Sequence, residues 1–113
     1  MEIRRGTEAR AEEVVPDVHN TKLAEGERMN VLQFEIGPGG SVPRHDHPHE
    51  QVGYIVQGRP TFVTDDGEVT LEPGDSYAIP GDEPHALENR TDERVLGVDV
   101  FSPPREFAPF AED

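Results

Sequence analysis

The sequence has no cysteine and no tryptophan, and among its 113 residues Lys22 is the only lysine. Without cysteine there is no disulfide, no thiolate metal site and no cysteine nucleophile, so any metal must be held by nitrogen and oxygen. Aromatic residues make up 6% and apolar residues 33%, enough for one modest core in a single domain of this length. No apolar run approaches the roughly 20 residues that cross a bilayer as a helix. The arginines of MEIRRGTEARAEE are not followed by the apolar stretch of a secretory leader, so the expected location is cytoplasmic, with no membrane partner. Positive charge is also scarce: ten Lys plus Arg against 24 Asp plus Glu give a net charge of −14. Such a surface repels phosphate backbones and excludes a nucleic-acid partner. The carboxylates are dispersed rather than massed in a tail. With so little lysine, this composition is the one expected of a protein adapted to high internal salt, where screening removes self-repulsion.

What is present is a series of short β-type runs punctuated by glycine, proline and aspartate. Residues 1–28 form a charged, weakly patterned arm. Val14, Val15 and Val18 around Pro16 suggest an edge strand there, Ala9 to Glu13 could make a helical turn, and TKLAEGERMN turns around Gly26. From Met29 to Ile36, Leu32, Phe34 and Ile36 alternate with Gln33 and Glu35, the pattern of a half-buried strand. Further strands are expected over Gln51–Gln57, Thr61–Thr64, Glu68–Leu71, Tyr77–Ile79 and Arg94–Phe101, the third and fourth runs of the chain being joined by the hairpin signal Asp65-Asp66-Gly67. Several short strands with regular turns and no convincing helix indicate an all-β sandwich or small barrel over residues 29–101. The tail, 102–113, carries Phe107 and Phe110 as expected apolar cover. Val52, Tyr54 and Val56 face away from Gln51, Gly53 and Ile55, so this strand needs cover on both sides. A partner subunit in a homodimer would supply it, as would the chain's own termini.

Chemistry concentrates between Gly39 and Gly58, in GGSVPRHDHPHEQVGYIVQG, where three of the five histidines fall within five residues. His45, His47 and Gln51 share strand parity, so two imidazoles and a side-chain carbonyl can face one way, as a coordination shell short of one ligand. His85, in PGDEPHALEN, is the strong candidate for that ligand. A solvated polar loop is the competing explanation for the first segment alone. His49 follows Pro48 and is placed at the rim, and His19 at the surface. Three imidazoles and an oxygen suit one divalent ion, Zn, Ni, Fe or Mn, with Cu(II) also compatible.

Spelled out, the first segment is Gly39, five residues, His45, one residue, His47, three residues, Gln51, six residues, Gly58; the second is Gly74, five residues, Pro80, then His85 and Asn89. These resemble the two signature motifs of the cupin superfamily. The resemblance implies a double-stranded β-helix, the jelly-roll barrel, with a central metal on His45, His47, Gln51 and His85. Two positions depart from the usual pattern: Gln51 stands where glutamate is usual, and Asp82 where glycine is usual. Gln51 keeps an oxygen ligand but removes a negative charge, leaving a bound ion a stronger Lewis acid and favouring an anionic ligand.

Near the end of the last strand, Asp99 and Phe101 share a face and Arg105 follows a Ser-Pro-Pro turn. If that face lines the barrel, Asp99 is an acid/base candidate, Phe101 a ring-stacking wall and Arg105 a carboxylate clamp, with Tyr54 a further substrate-binding candidate. An Asp99–Arg105 pair closing the barrel mouth is the structural alternative. HxHxxxQ with a distal histidine and D-x-F-x-x-x-R is similar to the small cupins of the pectin-degradation type. That resemblance implies an isomerase that linearises 4,5-unsaturated uronates, an anionic sugar-acid substrate. A metal-dependent dioxygenase and a non-catalytic ligand- or metal-binding cupin are the alternatives. A phosphomannose-type isomerase fits less well, since no lysine lies near the site.

Overall fold

The computed structural model describes residues 1–106; Phe107 and Phe110, expected as apolar cover, lie outside them. After a single 3-10 turn at Gly6–Glu8 come ten strands: β1 Ala11–Val15, β2 Val18–Glu25, β3 Asn30–Ile36, β4 Ser41–His45, β5 Glu50–Gln57, β6 Thr61–Thr64, β7 Gly67–Thr70, β8 Ser76–Ile79, β9 His85–Glu88 and β10 Val95–Ser102. They form two antiparallel sheets, ordered β1-β2-β3-β10-β5-β8 and β4-β9-β6-β7. The core draws on both sheets: Val18, Phe34, Ile36, Ile55, Ile79 and Val95 from the larger meet Phe62 and Leu87 from the smaller. Alternation is the physical cause. Buried and part-exposed residues alternate without exception through β3 and β10, so each strand offers one apolar face to the facing sheet.

The amino-terminal segment is more ordered than an arm. Pro16 and Asp17 make the turn of a β1–β2 hairpin, with Asp17 at φ 65. Ala11 to Glu13, weighed as a helical turn, are strand instead, and Thr21 to Glu25 continue β2, so the turn begins at Gly26. β1 is the sheet edge, as a proline-flanked segment must be, but β2 is paired on both sides.

Register stacks the inward side chains of the larger sheet in layers. Asn30, Phe101, Gln51 and Ile79 are aligned at one level; Leu32, Asp99, Gly53 and Tyr77 at the next; Asn20, Phe34, Gly97 and Ile55 below them. Val18, Ile36, Ile55 and Val95, all at 0% exposure, seal the far end. The opposite face of β5 is bare: Val52, Tyr54 and Val56 are 42%, 50% and 46% exposed.

Candidate metal centre

At the upper level the two sheets bring the histidines together. His45 ends β4 and is aligned with His85 at the start of β9; His47 lies in the turn that leads to β5. Their rings are 4.5 Å apart for His45–His85 and 5.2 Å for His47–His85, and the potential ligand atoms of all three lie within 4.8 Å of one another. Each ring is fixed by a local carbonyl: Nδ1 of His45 to Pro43 O at 2.8 Å, of His47 to His49 O at 3.1 Å, of His85 to Glu83 O at 2.8 Å. A carbonyl only accepts, so each Nδ1 carries the hydrogen and each neutral ring turns an Nε2 lone pair inward. Burial favours the neutral form of His47 and His85. Desolvation, aided by the Arg105 charge, pulls His47 down to about 4, and His85 is lowered chiefly by desolvation.

Gln51, 6% exposed, adds an observation specific to this chain. Its Oε1 lies 3.1 Å from His47 Nε2, while its amide group hydrogen-bonds the Asp99 carboxylate. The contact sets the Gln51 carbonyl oxygen beside a ring nitrogen of His47, so both could serve one cation held by the histidine cluster. The donor set, all nitrogen and neutral oxygen, fits a borderline first-row divalent ion on His45, His47, His85 and Gln51.

Asp99 sits one level below, 6% exposed. Tyr77 Oη donates to its Oδ1 at 2.5 Å. Desolvation pushes the carboxyl up to about 6, partly offset by the hydrogen bonds from Tyr77 and Gln51 and by the Arg105 charge. Asp99's own hydrogen-bond partners are thus Tyr77 and Gln51, with Arg105 acting through its field. Tyr77, which sequence reasoning missed, is in turn braced edge-on by Phe62 at 4.8 Å. Its hydroxyl is held strongly to its proton by burial and by Asp99. The ring crosses β5 at Gly53, where a Cβ would fall under 3.0 Å from both Tyr77 and Asp99; glycine is required there for space.

Phe101 is 2% exposed and meets His47 edge-on at 5.7 Å. Arg105 lies over its ring, Cζ 5.4 Å from the centroid, and its backbone is clasped by buried Asn30 through two 3.0 Å bonds. Asp99, Phe101 and Arg105 therefore line one cavity with His45, Gln51 and His85, a partly open space of about 40 Å³. Tyr54 is not brought there. It projects from the outer face of β5, beside a shallow hollow of about 550 Å³ lined by Val52, Ala78, Val98 and Val100 among others. This hollow is larger, but among the described residues the histidine cluster lies at the smaller cavity. His49 packs beside His47 and Phe101, at 5.5 and 6.4 Å. Asn89 is structural, its amide donating to Ile36 O, Gly37 O and Glu93 O. Asp82 has φ 68, the left-handed conformation that explains why glycine is usual there.

A family model described as "Cupin domain" matches residues 32–101. The chain belongs to the cupin family. Among solved cupin-like structures, it superposes on KdgF from Halomonas sp. with a TM-score of 0.84 at 24% identity, covering 94% of this chain and 96% of that one. The polyketide cyclase RemF from Streptomyces resistomycificus gives a TM-score of 0.79 at 24% identity, with 97% and 90% covered. At these identities the shared property is the fold. Among curated proteins, this cupin is 32% identical over 69 residues to the H2HPP isomerase of Bacillus subtilis, a match covering 61% of this chain and 29% of that protein's length. The matched family region takes in all four candidate ligands together with Asp99 and Phe101, and stops short of Arg105.

Proposed function

We propose that this cupin is a metal-dependent isomerase of small anionic sugar acids, opening the ring of a 4,5-unsaturated uronate to the linear keto form. The observation that carries the reading is a three-histidine cluster at a cavity that also holds a buried carboxyl poised near pH 6 and a guanidinium. A divalent ion on His45, His47, His85 and Gln51 would supply Lewis-acid polarisation of the sugar oxygens. Arg105 holds the substrate carboxylate, and Phe101 gives the sugar ring an apolar wall. Asp99 takes the hydroxyl proton released on ring opening and returns it to carbon as the enol becomes the ketone, with no net redox change. A group that exchanges protons near neutral pH is what an isomerisation uses, whereas oxygen insertion or passive ligand binding gives Asp99 no part. Similarity to a protein named as an isomerase supports the same reaction class. The exposed Val52, Tyr54 and Val56 support a homodimer that buries this face, to be checked by light scattering.

The test is metal analysis of protein purified without a nickel column, coupled to the conjugated-enol absorbance of a 4,5-unsaturated uronate. Near-stoichiometric metal with loss of absorbance is expected. Bound metal without substrate loss would overturn the sugar-acid assignment, and failure to take up any divalent ion would overturn the metal centre.

A further inference from the structure

Eight polar or charged side chains are buried: Asn20, Asn30, His47, Gln51, Thr61, His85, Asn89 and Asp99. Seven have a side-chain hydrogen bond. Asn30 clasps Arg105, Asn89 ties three carbonyls, Thr61 pairs with Thr70, and the other four belong to the site described above. Asn20 is the exception, 7% exposed and without a side-chain partner among the described residues. It lies on β2 with the parity of Val18, the most deeply buried residue of that strand. It lines the same cavity as His45, Gln51, His85, Asp99 and Arg105. Its neighbours there are otherwise apolar: Phe34 beside it in register, with Leu32, Phe62 and Leu87 around. A barrel interior filled this way accepts an aliphatic side chain at residue 20, and an amide that lines the cavity without a protein partner is open to a ligand there.

We infer that Asn20 is a specificity-determining residue, its amide taking a hydroxyl or keto oxygen of a small acid whose carboxylate lies toward Arg105. The inference rests on the cavity being the substrate site, as proposed above, and adds which end of the substrate is read. Asn20 is aligned with Phe34, and Phe34 with Gly97, two residues along β10 from Asp99. That places it about 7 Å deeper than the acid/base carboxyl, on the far side from Arg105, whose backbone is held at Asn30. Asparagine both donates and accepts, so it serves a hydroxyl or a carbonyl, and a ligand lacking oxygen at that end would leave the amide unpaired.

The experiment compares full-length, metal-loaded wild type with Asn20→Leu, which keeps the branched shape of the side chain, and with Asn20→Val, which adds less volume. Melting temperature is read without ligand, and the affinity for D-galacturonate, a non-reacting uronate probe, by calorimetric titration. At least one variant is expected to melt no lower than wild type, while its galacturonate affinity falls about tenfold. If both variants melt well below wild type, the amide is structural and the inference is overturned. A variant that melts with wild type and binds galacturonate as well as wild type overturns it equally. Should wild type itself not bind galacturonate, the sugar-acid assignment fails, and the inference that rests on it fails with it.

Discussion

Gly53→Ala tests how the buried Asp99 carboxyl is held. A methyl at residue 53 would stand under 3.0 Å from the Tyr77 ring and hydroxyl and from Asp99 Oδ1, so Tyr77 has to leave. Its displacement removes the 2.5 Å hydrogen bond to Asp99, a bond to an ionisable partner contributing about 1.5–3 kcal/mol. The edge-on contact with Phe62 at 4.8 Å contributes about 0.5–1.5 kcal/mol more. The new alanine recovers about 0.5–1 kcal/mol because it is less flexible than glycine in the unfolded chain. The net expected loss is about 2–3 kcal/mol, seen as a fall in Tm of roughly 10 °C or more. The decisive assay is a double-mutant cycle by urea unfolding with Tyr77→Val. In that background Asp99 Oδ1 is the clash that remains for the new methyl, and Gly53→Ala should cost clearly less than in the wild type, a coupling of about 1–2 kcal/mol. Additive costs, within about 0.5 kcal/mol, would refute the claim that glycine is there to seat Tyr77 over Asp99.

Three other outcomes follow from the site. Asp99→Asn should keep metal and fold while turnover falls by about 10²-fold or more, as when a general acid/base is lost; unchanged turnover would make Asp99 structural. His47→Ala should bind no stoichiometric metal by elemental analysis, and chelating wild type should lower its Tm, because an ion that binds only the folded state adds about 2.7 kcal/mol at 100 times its Kd; full metal content in His47→Ala would refute the ligand set. The third concerns acid stability of the metal-free protein. Folded Asp99 ionises near 6 against an ordinary 3.8, so its contribution is fullest below 3.8 and is lost as pH rises to 6. His47 runs the other way: lowered from 6.5 to about 4, it costs stability as pH falls through that interval, and lowered His85 adds in the same sense. Asp99 and His47 therefore nearly cancel between pH 4 and 6, and Asp99→Asn should lose roughly 2–3 kcal/mol more than wild type over that interval. Parallel stability curves for the two proteins would refute this.

Much of the site was legible because strand parity is a strict code. Asp99 with Phe101 lies inward together as alternation in β10 demands, whereas His45, His47 and Gln51 meet across the turn between β4 and β5 and not along one continuous strand. The same parity sends Tyr54 outward, since it is three residues from Gln51 on one strand; assigning it to the substrate set overrode that signal. Tyr77 escaped notice because its role depends on β5 lying between β8 and β10 with Gly53 aligned to both, a register that no local pattern encodes. Strands β4 and β9 were hidden by their shortness and, in β4, by Pro43. β2 was hidden because Asn20 and Lys22 fall where apolar residues would have marked the inner face.

The charge removed by Gln51 changes how a substrate reaches the site as well as how it is held. In the cavity the Asp99 carboxylate is balanced by Arg105, so a divalent ion on neutral ligands would leave it electropositive inside a chain carrying −14. An anionic substrate then meets long-range repulsion from the surface before short-range attraction at the mouth. Salt screens the first across its Debye length of about 10 Å at 0.1 M and reaches the second, inside the cavity, far less. Capture of substrate should therefore speed up as ionic strength rises, the reverse of an electrostatically steered enzyme, making the acidic coat a gate that concentrated salt opens.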